Sequence, residues 1–331
     1  MVDTVSNVDF KVMFLNDTPV MQLPPRLTIL EAVDFKTSFQ QLLHRGTVPE
    51  QIVFDCSQTI FIDSSGIGAL VSNHKIAQEK GVDLVFRNIP PQMMAVLVMT
   101  GLDQVLKIEQ SSESTTAATT WLDDHLPTTH PSVRSKVKRL LDIIGSVVGL
   151  LLTAIAFIPI ALAVKLDSPG PIFFVQTRLG WMGKPFRIWK FRSMYADAEA
   201  RKQELETKNE SDGKTFKIEN DPRITRVGRF LRKTSLDELP QFWNVLNGEM
   251  SLVGTRPPTP NEVEIYEVPE WQRLDVKPGM TGEWQVKGRE KILNFEDIIK
   301  LDLEYQHNWS LTHDLKLIIQ TFLVVLRRTG K

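Results

Sequence analysis

From Ile143 to Val164 the chain runs twenty-two residues without one charge, and no other stretch limits the fold so strongly. As a helix it is long enough to cross the hydrocarbon core of a bilayer, about 30 Å. Cations stand on both sides of it. Arg134, Lys136, Lys138 and Arg139 precede the run, and Lys165, Arg178, Lys184, Arg187, Lys190 and Arg192 follow it. Basic flanks favour the cytoplasmic side, so a straight span would misplace one of them. Pro159 interrupts the helical ladder and offers a place to turn back. A re-entrant hairpin over 137–166, dipping into one leaflet, satisfies charge, length and proline together. A straight span is the alternative.

The rest of the chain divides by charge. Residues 1–130 carry 8 Lys and Arg against 15 Asp and Glu, a net of −7, and the remainder carries 31 against 25, a net of +6. Two domains in different surroundings account for this, the basic one near phosphates or anionic lipid. Nothing points to a nucleic-acid partner. A single cysteine, Cys56, excludes an internal disulfide and a zinc cluster and fits a reducing compartment. The start lacks a basic segment followed by an apolar core, so no secretory signal is expected. With 331 residues, one large core or two ordinary ones can be buried.

In the first third, short apolar strands (8–15, 20–23, 52–55, 82–86, 105–108) alternate with helical patterns (27–43, to 80, 91–99), the sign of a small α/β domain. Within it, Phe61-Ile-Asp-Ser-Ser-Gly-Ile-Gly68 resembles the STAS domain of the anti-sigma factor antagonists. That resemblance implies a regulatory serine directly after the Asp, which here is Ser64, and a STAS-binding regulatory protein as partner. On the residues alone, Asp63 and Ser64 could equally cap a helix. Residues 111–132 are rich in Ser, Thr and Pro and are expected to be a linker.

Beyond the apolar run, Phe186–Met194 alternates like a strand, with Lys190 and Arg192 on one side where both could face an anion; a solvated strand edge is the other reading. Arg223, Arg226, Arg229 and Arg232 recur every three residues, a basic ridge if helical. The ridge leads into Ser235-Leu-Asp-Glu238, which has the spacing of a capping box at the start of a helix ending at Gly248. Asp237 and Glu238 would then lie in a first helical turn, where free N–H groups favour an ionised carboxylate or a phosphate. Adjacent acids alone are a weak sign of chemistry. With cations around them, they suit a carboxylate nucleophile meeting a phosphoryl group, with Mg²⁺ shared between carboxylate and phosphate oxygens. The segment 314–328 has apolar residues at helical spacing and suits an interfacial helix.

Five ordered stretches carry a second resemblance: Lys190–Met194, Ser235–Pro240, Asn244–Gly254, Arg256-Pro-Pro258 and Lys277–Arg289, all downstream of the basic-apolar segment. Over roughly 136–331 the chain is similar to the bacterial sugar transferases, the monotopic polyprenyl-phosphate phosphoglycosyl transferases. The resemblance implies an α/β STAS domain (1–110) followed by a membrane-associated, mostly α-helical α+β transferase domain (133–331) with a re-entrant membrane helix, on the cytoplasmic face of the cytoplasmic membrane. It implies transfer of a sugar-1-phosphate from a UDP-sugar to undecaprenyl phosphate, the first step of exopolysaccharide or O-antigen-type glycan assembly. Asp237 would be the nucleophile and hold the metal, and Glu238 its partner. Arg256 would hold phosphate, and Lys190, Arg192, Gln285 and Arg289 would contact substrate. One departure is that the family's Gly-Pro-Arg-Pro reads Gly254-Thr-Arg-Pro257 here. The sugar and the oligomeric state, including a homo-oligomer, are left open.

The competing reading is a membrane-tethered STAS adaptor with an inactive transferase part. A glycoside hydrolase has little support, because two acids adjacent on one helix turn do not straddle a glycosidic bond at about 5–9 Å. No Gly-rich P-loop motif supports ATP hydrolysis.

Overall fold

The computed structural model describes residues 10–15, 18–44, 48–109, 129–205, 209, 218, 220–288 and 294–326. Most of the expected linker and Arg289 lie outside the described residues. The chain separates into two compact units. One contains residues up to Thr129 together with Met182–Lys184 and Tyr266–Asp275, and the other contains the remainder from His130 onward.

The first unit is built on a five-stranded sheet in the order β1-β2-β4-β6-β7. Its strands are β1 (Val12–Leu15), β2 (Thr18–Gln22), β4 (Gln51–Asp55), β6 (Asp83–Arg87) and β7 (Lys107–Ile108), while β3 (Arg26–Leu27) and β5 (Phe61–Ile62) form a separate parallel pair. Only β1 runs antiparallel to its neighbour. Helices α1 (Ile29–His44), α2 (Ser64–Lys80) and α3 (Pro91–Thr100) lie between strands, as the alternating pattern requires. Phe35, Phe39, Phe54 and Phe86 interlock edge-on at its centre. Asp63 caps α2 by accepting from the Gly66 N–H at 2.9 Å. Ser64 is fully buried, and its N–H donates to Asp275 at 3.0 Å. Trp271, from the same later segment, sits so close to Gly68 that a Cβ there would come within 2.5 Å of the indole. The capping reading of Asp63 therefore holds, and a phosphate on Ser64 would require Tyr266–Asp275 to move away.

In the second unit the apolar run belongs to one helix, α4 (Lys136–Asp167), which continues through Pro159 with no loop dividing it into two arms. Its buried stripe is the more polar one. Lys138, Asp142, Ser146 and Gly149, then Ile160 and Val164, recur every three or four residues and face the protein. Ile144, Leu151, Leu152, Ile155, Ile158 and Leu162 are exposed. Lys138 donates to Asp314 at 2.6 Å and to the Val253 carbonyl at 2.9 Å. Arg139 holds the carbonyls of Val245 and Leu246, and Asp142 accepts from Ser251 and the Leu252 N–H. At the far end Ile160 and Val164 pack with Phe191 and Leu231. Two of the four leading cations are thus internal ties, which corrects their reading as membrane-flanking charges; exposed Arg134 and Lys136 remain.

Around α4 stand the antiparallel hairpin β8 (Phe173–Leu179) and β9 (Pro185–Phe191), helix α5 (Arg226–Lys233), a 3₁₀ segment Leu236–Gln241 running into α6 (Phe242–Asn247), and the parallel pair β10 (Ser251–Val253) and β11 (Gly279–Thr281). Helices α7 (Phe295–His307) and α8 (Leu311–Leu326) complete the described residues. Asp314, at the start of α8, takes Lys138, the Tyr305 hydroxyl and the Trp309 indole N–H, a buried charge with its partners supplied. Past it, α8 exposes Leu315, Ile319, Phe322 and Leu323.

The candidate active site

A cleft of about 930 Å³ opens in the second unit. Strands β8 and β9 give it Gln176, Arg178 and Lys190. Helix α5 gives Arg232, the 3₁₀ segment gives Asp237 and Glu238, and the turn after β10 gives Arg256 and Glu262.

Asp237 is buried, 6% exposed, and borders the cleft. It does not follow a capping box, which corrects the sequence expectation. Ser235 is left-handed at φ 56°, makes no side-chain cap, and its carbonyl takes the Glu238 N–H. Proline at 240 has no N–H to continue an α-helical ladder, so the segment tightens to 3₁₀ before α6 begins. The predicted stop is present, because Gly248 is left-handed at φ 80°. Freed from capping, the Glu238 carboxylate pairs with Lys190 at 2.9 Å.

The basic ridge separates into parts with different roles. Only Arg226, Arg229 and Arg232 are on α5, which Thr225 caps, and the first two are exposed. Arg223 lies before the helix in a buried pair with Asp221. Arg232 donates to the Ser193 hydroxyl at 2.9 Å. Burial lowers its pKa, against the opposing charge of Asp237, so a cation and the candidate nucleophile are held near each other.

Arg192 borders the same cleft as Lys190, but its guanidinium is turned to the protein backbone. It is buried, and its guanidinium reaches the carbonyls of Pro169 (2.7 Å), Ser168 (2.6 Å) and Val164 (3.2 Å). It closes the C-terminal end of α4, where carbonyls lack helical partners. The ladder ends at Phe191, so strand alternation no longer predicts the direction of the next side chain.

Arg256 makes two parallel bonds to Glu262, at 2.9 and 3.0 Å. Glu262 also completes a capping box with Thr259. Burial pushes its carboxyl up, but the Arg256 guanidinium outweighs this and holds it at about 2. Arg256 is therefore fixed by a side chain, whatever the Thr255 substitution does to the turn. Glu262 was missed in the sequence although Thr259-Pro-Asn-Glu262 has the spacing that identifies it. Arg178, counted only as a flanking cation, also borders the cleft and donates to the Pro257 carbonyl. Gln285 lies with Lys190, Glu238 and Arg256 around a smaller side chamber.

No group of three or more His, Cys, Asp or Glu side chains converges among the described residues. Two carboxylates at a cleft lined by cations still fit Mg²⁺, which commonly takes one or two protein carboxylates and completes its shell with phosphate and water. The arrangement can bind a diphosphate through Arg178, Arg256 and Lys190 and present a carboxylate to it.

Residues 133–328 match the family model described as bacterial sugar transferase, and residues 11–108 match the one described as Mlab, STAS domain. The "Galactosyl transferase CpsE" of Streptococcus agalactiae serotype III (strain NEM316) is 51% identical over 193 residues, covering 58% of this chain and 43% of the relative. The "Undecaprenyl-phosphate galactose phosphotransferase" of Salmonella typhimurium is 43% identical over 198 residues, covering 59% and 41%. The "Exopolysaccharide production protein ExoY" of Rhizobium meliloti is 38% identical over 197 residues, covering 58% and 87%. The chain spans about two fifths of the length of the first two.

Proposed function

The chain belongs to the bacterial sugar transferase family, and on that premise we propose that it transfers a sugar-1-phosphate from a UDP-sugar to undecaprenyl phosphate, at the start of exopolysaccharide-type glycan assembly. One observation carries this reading: Asp237 and Glu238 border a cleft with Lys190, Arg232 and Arg256, so a carboxylate nucleophile and several phosphate-binding cations share one site. An oxygen of Asp237 attacks the β-phosphorus, and the bond to the bridging oxygen breaks and releases UMP. The sugar phosphate is left on Asp237 as an acyl phosphate. An oxygen of the lipid phosphate then attacks the same phosphorus and frees the carboxylate. Arg256 and Arg178 hold the leaving phosphate, Arg232 sets a positive charge near Asp237, and Glu238, tied to Lys190, orients the pair. Mg²⁺ held by Asp237 and Glu238 would neutralise the phosphate oxygens.

The same reading places the protein on the cytoplasmic face of the cytoplasmic membrane. Helix α4 is apolar and long enough to cross a membrane, yet one side of it packs on the second unit from Lys138 to Val164. Its exposed apolar side, with that of α8, suits the acyl boundary of one leaflet, in line with a helix held in one leaflet rather than a spanning one, although it is not divided into the two arms of a hairpin. The test is UMP release from a panel of UDP-sugars with undecaprenyl phosphate and Mg²⁺. Release that depends on both sugar nucleotide and metal supports the reading, and no release from any donor overturns it.

A further inference from the structure

The smaller chamber, of about 140 Å³, opens where Lys190, Glu238 and Arg256 meet, so it shares a wall with the reacting end of the cleft. Its other side includes Gln241, Trp284 and Gln285 with apolar Ile188 and Met280. Three buried polar atoms of this lining have no hydrogen-bond partner among the described residues: Gln241 Nε2, Trp284 Nε1 and Gln285 Oε1. Gln241 is 3% exposed. An unmatched buried polar atom costs about 1–3 kcal/mol, and three around one chamber mark it as built for a polar occupant.

The occupant's chemistry follows from the atoms. A phosphate offers nothing to the Gln285 oxygen, which needs a donor, and an apolar ring satisfies neither glutamine. A polyhydroxylated ring fits, because each hydroxyl both donates and accepts while its C–H surface meets the aromatic and aliphatic side chains. Connectivity points the same way. In a nucleoside diphosphate sugar the hexose is bonded to the phosphate that Asp237 attacks, and the nucleoside lies one phosphate further off. The chamber borders Glu238, next to Asp237, and leaves the larger cleft for the nucleotide.

We propose that this chamber is the hexose subsite and that Gln241 and Gln285 read the hydroxyl pattern of the sugar. The inference rests on the transferase reading and adds the residues that set its specificity. A site that hydrogen-bonds a substrate hydroxyl discriminates strongly against a donor that misplaces it.

The experiment uses the full chain in nanodiscs with UDP-glucose and UDP-galactose, which differ at one hydroxyl, and with UDP and UMP as sugar-free ligands. The wild type should bind one or both UDP-hexoses more tightly than UDP. Gln285→Leu and Gln241→Leu should change the ratio of kcat/KM between the two hexoses about tenfold or more and leave inhibition by UMP unchanged. The near-isosteric Gln285→Glu and Gln241→Glu repeat the measurement if the leucine variants melt early. Equal losses for both hexoses, weakened UMP inhibition to the same extent, or UDP-hexoses bound no better than UDP would overturn the subsite. Sugar-dependent binding without turnover would instead count against the transferase reading and leave the subsite standing.

Discussion

Replacing Glu262 with glutamine keeps shape and volume and removes one charge at the partner of Arg256, the arginine proposed to hold phosphate. The carboxyl sits at about 2 instead of its ordinary 4.5, despite a burial that works in the opposite direction. At about 1.4 kcal/mol for each tenfold change, its surroundings favour the ionised form by about 3 kcal/mol. Arg256 supplies most of that through its two bonds. In Glu262→Gln an amide N–H meets a guanidinium N–H, so no more than one of the bonds survives. If half to all of this positioning reaches the transition state, kcat/KM for UMP release falls on the order of 10- to 100-fold. Initial rates in nanodiscs between pH 6 and 9 measure it. The wild-type pair stays ionised throughout that range, so the ratio of wild type to variant should be constant with pH. A kcat/KM within about twofold of wild type, or a ratio that changes steeply with pH, would refute the positioning role.

Two further predictions concern other parts of the molecule. Arg192→Ala leaves the carbonyls at the end of α4 without their donors and should lower stability by about 2–3 kcal/mol, measured by thermal unfolding in detergent, with KM for the UDP-sugar unchanged; a raised KM at full stability would restore it as a substrate contact. Burial and repulsion from Asp63 raise Asp275 to about 7, and burial, with a smaller repulsion from Glu31, raises Asp63 to about 6. Both folded values lie above the unfolded ones, so this stabilisation is complete below about pH 4 and is lost as pH rises through 6 and 7. The melting temperature of the first unit should therefore fall between pH 5 and 8, and Asp275→Asn should flatten that dependence; a wild-type curve as flat as the variant's would contradict it.

Much of the candidate site was legible because its residues lie in short local motifs. Asp237, Glu238, Lys190 and Arg256 border one cleft, and each lies in a short motif whose residue types suit phosphate. What escaped depends on long-range partners. Strand alternation gave Arg192 a side of β9 but not the helix end waiting there. A capping-box spacing at Ser235 could not show that Lys190 would claim Glu238, nor that Pro240 would tighten the turn. The positions 138, 142, 146 and 149 on α4 have the period of a buried face, but the uncharged run from Ile143 onward carries the stronger pattern of a membrane segment. Trp271 and Asp275 are ordinary residues in sequence. Their place beside Gly68 and Ser64 follows from a tertiary contact that no local pattern encodes.

The central claim is that Asp237 carries the sugar phosphate. Incubating the full chain with Mg²⁺ and a UDP-sugar labelled in the sugar, without undecaprenyl phosphate, tests it most directly. The account predicts a burst of UMP equal to the active protein, label bound to the chain and chased by the lipid phosphate, and neither burst nor label in Asp237→Asn. UMP released only when the lipid is present, with no label on the wild-type chain at any time, would contradict it.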